Sequence, residues 1–246
     1  MPESIPRVAV WSFIDCGPVP EAIPIIGGTG ALGYGLALRW ALAGRAVVLG
    51  SRDPKRAAEA AKKLSDAVPD AEIEGMGNAE AAKQGPVVVL AVPFRAQSEN
   101  LTNLKDSLEA GQLLVDCTVP LAAAVSGKAT RTLGVWQGSA AQQAQEMVPE
   151  GVTVVAAFHT VGAPDLSDRE VILDEDVLIC GEKKADKFKV AALVHAIPGL
   201  RAVNAGPLET ARIVEQLTPL LISINVRYKV HAGIRVTGLP DADHWE

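Results

Sequence analysis

The stretch Ala22-Ile23-Pro24-Ile25-Ile26-Gly27-Gly28-Thr29-Gly30-Ala31-Leu32-Gly33, residues 22–33, decides how the chain reads. It sets a short β-branched run before Gly28, Gly30 and Gly33 in the spacing G-x-G-x-x-G, and an Ala- and Leu-rich stretch follows to residue 43. Between a strand and a helix the three glycines do different things. The first permits a tight turn, the second lets backbone approach a pyrophosphate, and the third allows close helix packing. The helix start adds free N–H groups and the positive end of its dipole, and Thr29 adds a hydroxyl donor. Pro24 departs from the pattern, because proline cannot donate to a sheet ladder and is unusual in a central strand.

Outward from this turn, β-branched runs alternate with Ala-rich helical stretches, the signature of crossover units on a parallel sheet. Strands are expected at 22–26, 46–50, 71–74, 87–92 and 112–117, with helices at 31–43, 54–67, 78–84 and 96–110. Pro54 after Asp53 reads as a capped helix start, and Gly44 and Gly85 fall where helices should stop. After a connection at 120–138 the reading gives a helix at 139–147, strands at 152–158, 177–180 and 200–203, and helices at 185–197 and 209–230. The expected class is α/β: a Rossmann-type doubly wound parallel sheet at 21–135, then a smaller C-terminal α+β domain at 136–246. Residues 1–20, with a run at 8–14 between prolines, have no role that the pattern reveals.

The second expected strand ends in Leu49-Gly50-Ser51-Arg52-Asp53-Pro54-Lys55-Arg56. Where an NAD enzyme places an acid against the ribose 2'-hydroxyl, this chain has Ser51 and Arg52. A guanidinium fork suits a 2'-phosphate, and Lys55 or Arg56 could add a second charge, so the expected nucleotide is NADP. The strand ends at Val92-Pro93 and at Asp116 to Pro120, which includes Val119, should line the nicotinamide side of the crevice.

Composition narrows the class. The 246 residues are 48% hydrophobic and 21% charged, as in a folded enzyme-sized chain. Lys plus Arg number 23 against 29 Asp plus Glu, a formal charge of -6, so no basic face for nucleic acid is expected. Residues 22–38 carry Pro24 and five glycines and cannot form a membrane helix. No export signal is read at 8–14, and Cys16, Cys117 and Cys180 are widely spaced with no metal-binding pattern, which together suit the cytoplasm. There is no Ser-His-Asp order, no H-E-x-x-H and no paired acids in an apolar run. His159 alone among the histidines follows an apolar strand and opens a loop at the domain junction, whereas His195, His231 and His244 read as structural or exposed. The helix at 209–230 carries Val214, Leu217, Leu220, Leu221 and Ile224, a stripe to be buried in its own domain or across a homodimer.

Four blocks together resemble the coenzyme F-420-dependent NADP oxidoreductase family, the NADPH-dependent F-420 (F420) reductases. They are Gly27-Gly28-Thr29-Gly30 with Gly35-Leu36-Ala37-Leu38-Arg39; Val48-Leu49-Gly50-Ser51-Arg52; Ala157-Phe158-His159-Thr160; and Ala205-Gly206-Pro207-Leu208 with Val214 through Leu221. The resemblance implies hydride transfer between NADP(H) and the 8-hydroxy-5-deazaflavin F420, with both small-molecule coenzymes in one cleft. It places phosphates on Thr29, Gly30, Ala31 and Leu32, the 2'-phosphate on Ser51, Arg52 and Arg56, and the nicotinamide near Val92, Val119 and Ala163. The deazaflavin would enter beside His159, with Ala232 and Gly233 closing over it. Members usually begin their first strand near the start, whereas this chain has about twenty residues before it. Two other readings remain open from the residues: an NADP-dependent imine or hydroxy-acid reductase, although no Lys-x-x-Asn occurs, and a non-catalytic NADP-sensing module.

Overall fold

The computed structural model describes residues 22–239. The expected extension at 1–20, with Cys16, and His244 lie outside the described residues.

Strands β1 (Ile23–Ile26), β2 (Val47–Ser51), β3 (Ile73–Gly77), β4 (Val87–Leu90), β5 (Leu113–Asp116) and β6 (Thr153–Ala156) form one parallel sheet in the order β3-β2-β1-β4-β5-β6. This is the doubly wound order, with the switch point between β1 and β4, and the ligand crevice lies beyond the strand ends there. The helices that cover the sheet are α1 (Ala31–Leu42), α2 (Pro54–Ala67), α3 (Asn78–Ala81), α4 (Phe94–Leu104) and α5 (Ala140–Met147). Strands β1, β2, β4 and β5 are buried along their full length, as expected of a parallel sheet covered on both faces.

Pro24 sits centrally in the sheet without breaking it. Ile23 and Gly28 donate toward β2, to Ala46 O and Gly50 O, so strand alternation turns the nitrogen of residue 24 toward β4. Pairing with β4 covers only Ile25↔Val89 and Ile26↔Leu90, so the missing donor falls just before that ladder begins.

β3 begins two residues later than the sequence pattern indicated and includes Gly75 and Gly77. Its register against β2, Val47↔Ile73 to Ser51↔Gly77, sets its limits, and a Cβ on Gly75 would collide with the Ala57 carbonyl of α2. Gly75 is what lets the helix lie close on the strand. β6, which lies beyond residue 135, the expected end of the first domain, pairs in parallel with β5 and completes the sheet.

The rest of the chain builds on that sheet edge. A short helix absent from the sequence reading, α6 (Ala163–Ser167), follows β6; then β7 (Glu175–Ile179), α7 (Lys184–His195) and β8 (Leu200–Asn204) form a parallel pair. An antiparallel bridge, Ala156↔Cys180, ties this unit to β6. The long helix α8 (Ala211–Tyr228) buries Val214 and Leu221, seven residues apart on one face. Leu220 of the expected stripe points outward, 55% exposed, beside Ile213 at 60%, because six residues carry it round to another side of the helix. Beyond α8 the chain runs back along β7: Asp176 N donates to Ile234 O, Val236 N donates to the Asp176 carboxylate, and that carboxylate also takes Arg201 and Arg235.

Candidate active site

At the switch point the glycine turn is built as a cradle. Gly27, not Gly28, takes the left-handed conformation (φ +80°), and a Cβ there would stand 2.7 Å from both Ala91 O and Val92 Cγ1. Gly28 instead packs on β2, where a Cβ would lie 3.0 Å from the Leu49 Cα. Gly30 is the N-cap of α1, which has neither a side-chain cap nor an acid in its first turn. The N–H groups at that end are therefore directed at whatever anion approaches, which fits a pyrophosphate across Thr29 to Leu32.

Gly33 holds the helix down on the turn, since a Cβ would lie 2.6 Å from Gly27 O. Gly33→Ala is expected to cost about 1–3 kcal/mol of stability by overpacking; a thermal midpoint equal to wild type would contradict this close approach.

At the end of β2, Ser51 is 7% exposed and its Oγ accepts from Asp53 N at 3.2 Å. Asp53 caps α2, accepting from Lys55 N at 3.0 Å, and Arg52 and Arg56 are exposed beside it. Arg52 rests 3.5 Å from Glu99 of α4, with both side chains largely in solvent. A pair so exposed is worth little and exchanges readily for a better anion. Val92 packs on the glycine turn and Pro93 caps α4, while Val119 follows β5 on the next strand over, so the sheet brings these loops to one edge.

The second half of the site is a cleft of about 580 Å³, lined among others by His159, Thr160, Ala163, Thr218, Asn225 and Ala232. Of the residues expected from sequence it gathers His159, Ala163 and Ala232. Gly233 is the next residue along and sits tight against Glu175, where a Cβ would overlap the carboxylate.

His159 enters this cleft through strained backbone. Phe158 adopts φ +64°, uncommon for a bulky residue, and is locked by edge-on contact with Trp40 at 5.8 Å. The His159 carbonyl accepts from Thr218 Oγ1 at 2.8 Å, which fixes the turn to α8. The imidazole is 5% exposed, and neither ring nitrogen has a hydrogen-bond partner. Burial pushes its pKa down to about 4, so the ring is neutral at pH 7, with one donor and one acceptor to offer. Leaving both unpaired in a buried site costs free energy that a hydrogen-bonding partner would offset.

Behind the crevice lies a polar network that the sequence did not reveal. Asp116, fully buried, accepts from Gln97 and from Thr118 N; Gln97 also reaches Thr118 Oγ1 and Ala140 O. Glu215 of α8 accepts from Ala140 N and Ala141 N at the start of α5. Burial raises both acids, Asp116 to about 6 and Glu215 to about 8, the latter with help from the charge on Asp116. A raised folded-state pKa means that Glu215 contributes fully below its unfolded value near 4.5 and that this contribution is lost as pH rises through about 8. Glu215→Gln should therefore lose less stability than wild type between pH 6 and 9. Parallel denaturation curves over that range would refute the assignment.

Thr160, Asn225 and His231 also line the cleft and were not singled out by sequence. His231 Nδ1 lies 2.9 Å from Asp165 Oδ1, and Asn225 Oδ1 accepts from Ala232 N at 2.8 Å. Their signal is tertiary, arising only when the chain after α8 folds back. Among the described residues no cluster of His, Cys, Asp or Glu fits a metal, and no helix is long and apolar enough to cross a membrane.

Comparison with known proteins identifies the family. Residues 22–120 match the family described as NADP oxidoreductase, coenzyme F420-dependent. The F420-dependent NADP reductase of Methanothermobacter thermautotrophicus is 42% identical over 226 residues, 90% of this chain and 97% of that protein. The F420-dependent NADP reductase of Methanocaldococcus jannaschii is 41% identical over 88% of this chain and 98% of its own length. Among solved structures, a candidate F420-dependent NADP-reductase from Arthrobacter sp. FB24 superposes with a TM-score of 0.69 at 25% identity, covering 88% of this chain and 100% of that one.

Proposed function

The chain belongs to the coenzyme F420-dependent NADP oxidoreductases, and from that premise we propose that it passes a hydride between NADP(H) and F420 with the glycine turn as one coenzyme seat and the His159 cleft as the other. The observation that carries this assignment is the buried imidazole with two unpartnered nitrogens at a residue that lines the cleft, in a chain whose glycine turn opens an uncapped helix. When bound, the two coenzymes supply the hydride donor and acceptor themselves, so the protein's work is to bind, orient and exclude water.

Thr29 to Leu32 receive the diphosphate, and Ser51, Arg52 and Arg56 the 2'-phosphate. Val92, Pro93, Val119 and Ala163 bound the nicotinamide side. His159 hydrogen-bonds the deazaflavin as a neutral ring, and Ala232 and Gly233, on the segment that Asp176 anchors, cover it. An imine reductase would share the nucleotide seat but would not require a deazaflavin site. Titrating the chain with F420 alone, and again with NADP present, separates these readings: saturable binding in both cases is expected, and no F420 binding would refute the cleft assignment.

The exposed Ile213, Leu220, Val226 and Tyr228 of α8 support a homodimer through this helix, which sedimentation would test. Free, buried Cys117 and Cys180 suit a reducing, cytoplasmic setting, and the net charge of -6 favours small-molecule partners over nucleic acid.

A further inference from the structure

We infer that Arg39 is a positioning residue for the deazaflavin cleft: from the helix that starts at the phosphate cradle, its guanidinium grips the carbonyl end of α6 and so sets the cleft wall. The inference rests on the reading of that cleft given above.

Arg39 lies in the last turn of α1 and is only 7% exposed, unusual for a helical arginine. Its hydrogen-bond partners are main-chain oxygens from more than 120 residues away: Leu166 O from Nε at 2.9 Å, and Asp165 O, Asp168 O and Val171 O from Nη2 at 2.6, 2.6 and 2.9 Å. A helix as short as α6 leaves the Asp165 and Leu166 carbonyls without helical partners, while Asp168 O, which also accepts from Val171 N, and Val171 O lie just beyond its end; a planar fork gathers the four where a single ammonium cannot. One turn earlier, Gly35 lets the two helices touch, since a Cβ there would lie 2.7 Å from Leu166 Cβ and 3.3 Å from Ser167 Oγ.

What α6 presents on its other side is the cleft: Gly162, Ala163 and Pro164 line it. Asp165, whose carbonyl Arg39 holds, uses its side chain to hold His231, which lines the cleft from the returning segment. One buried guanidinium thus fixes one wall directly and reaches the opposite segment through Asp165. The phosphate cradle is nine residues back along α1, about 13 Å at the helical rise. Arg39 therefore acts on the cleft wall, Ala163 at its nicotinamide end included, and not on the phosphate cradle that supplies most of the NADP contacts.

The test is Arg39→Lys in the full chain, with the dissociation constant for F420 read from deazaflavin fluorescence quenching and that for NADP from calorimetric titration. At least a tenfold weakening for F420 is expected, with NADP binding within about twofold of wild type; a merely structural role would lower the thermal midpoint and weaken both alike. If the lysine variant does not fold, Gly35→Ala, which keeps the guanidinium but pushes α6 outward, should weaken F420 binding severalfold and leave NADP binding unchanged. Wild-type F420 affinity in either folded variant, or equal weakening of both coenzymes, overturns the proposal. Failure of the wild-type chain itself to quench F420 fluorescence would overturn the reading of the cleft, and this inference with it.

Discussion

Arg52→Ser is expected to lower kcat/KM for NADPH by about 10- to 100-fold, the worth of a charge-assisted phosphate contact at roughly 1.5–3 kcal/mol. The value for NADH should hardly change, because Arg52 has no role toward an unphosphorylated ribose. The only ion pair described for this guanidinium, to Glu99 at 3.5 Å, is exposed on both sides and does not compete strongly with a phosphate dianion. Steady-state kinetics with both nucleotides decide it. An equal loss with NADPH and NADH would mean that Arg52 supports the fold of the β2–α2 turn and does not select the nucleotide.

His159→Asn should weaken F420 binding or slow hydride transfer by about one to two orders of magnitude, as for loss of one oriented hydrogen bond in a dry site. NADP affinity should stay at its wild-type value, since the imidazole stands in the other half of the site. The pH dependence distinguishes positioning from proton delivery. An ordinary imidazole titrates near 6.5, but burial holds this one near 4, so the wild-type rate should show no inflection from His159 between pH 5 and 8. The stability consequence has a defined sign: the unfolded chain binds a proton at this histidine below about 6.5 and the folded one only near 4, so wild type loses stability as pH falls through that window. The asparagine variant should lose that part of its acid sensitivity. Wild-type rate and F420 affinity in the variant would make His159 a packing residue only.

The glycine turn and the basic strand end of the candidate nucleotide seat were legible in the sequence because they are local. A strand, three spaced glycines, a helix and a basic residue at the end of the next strand carry their physics within about thirty residues, and the sheet order realises it. Even there the left-handed residue proved to be Gly27, crowded by Ala91 and Val92 just beyond the end of β4. The cleft half was legible only as family resemblance around His159. Asn225, His231, Asp165 and Arg39 meet through contacts that span from 7 to more than 120 residues, and no periodicity within any one element announces them. α6 escaped notice for a related reason: five residues containing Pro164 give no helical period, and the segment is held instead by Arg39 and Gly35 from another helix. Sequence placed Asp116 only at a strand end and Glu215 only within a resembling block; the polar network of buried acids appears once α8 packs Glu215 onto the start of α5.

The most direct measurement of the central claim is the deazaflavin absorbance band, followed anaerobically after the chain is mixed with F420 and NADPH, and in a second run with reduced F420 and NADP. The account predicts enzyme-dependent bleaching in the first and recovery in the second, each matched mole for mole by nicotinamide oxidation or reduction. Absence of spectral change in both directions, with both coenzymes shown to be bound, would contradict it.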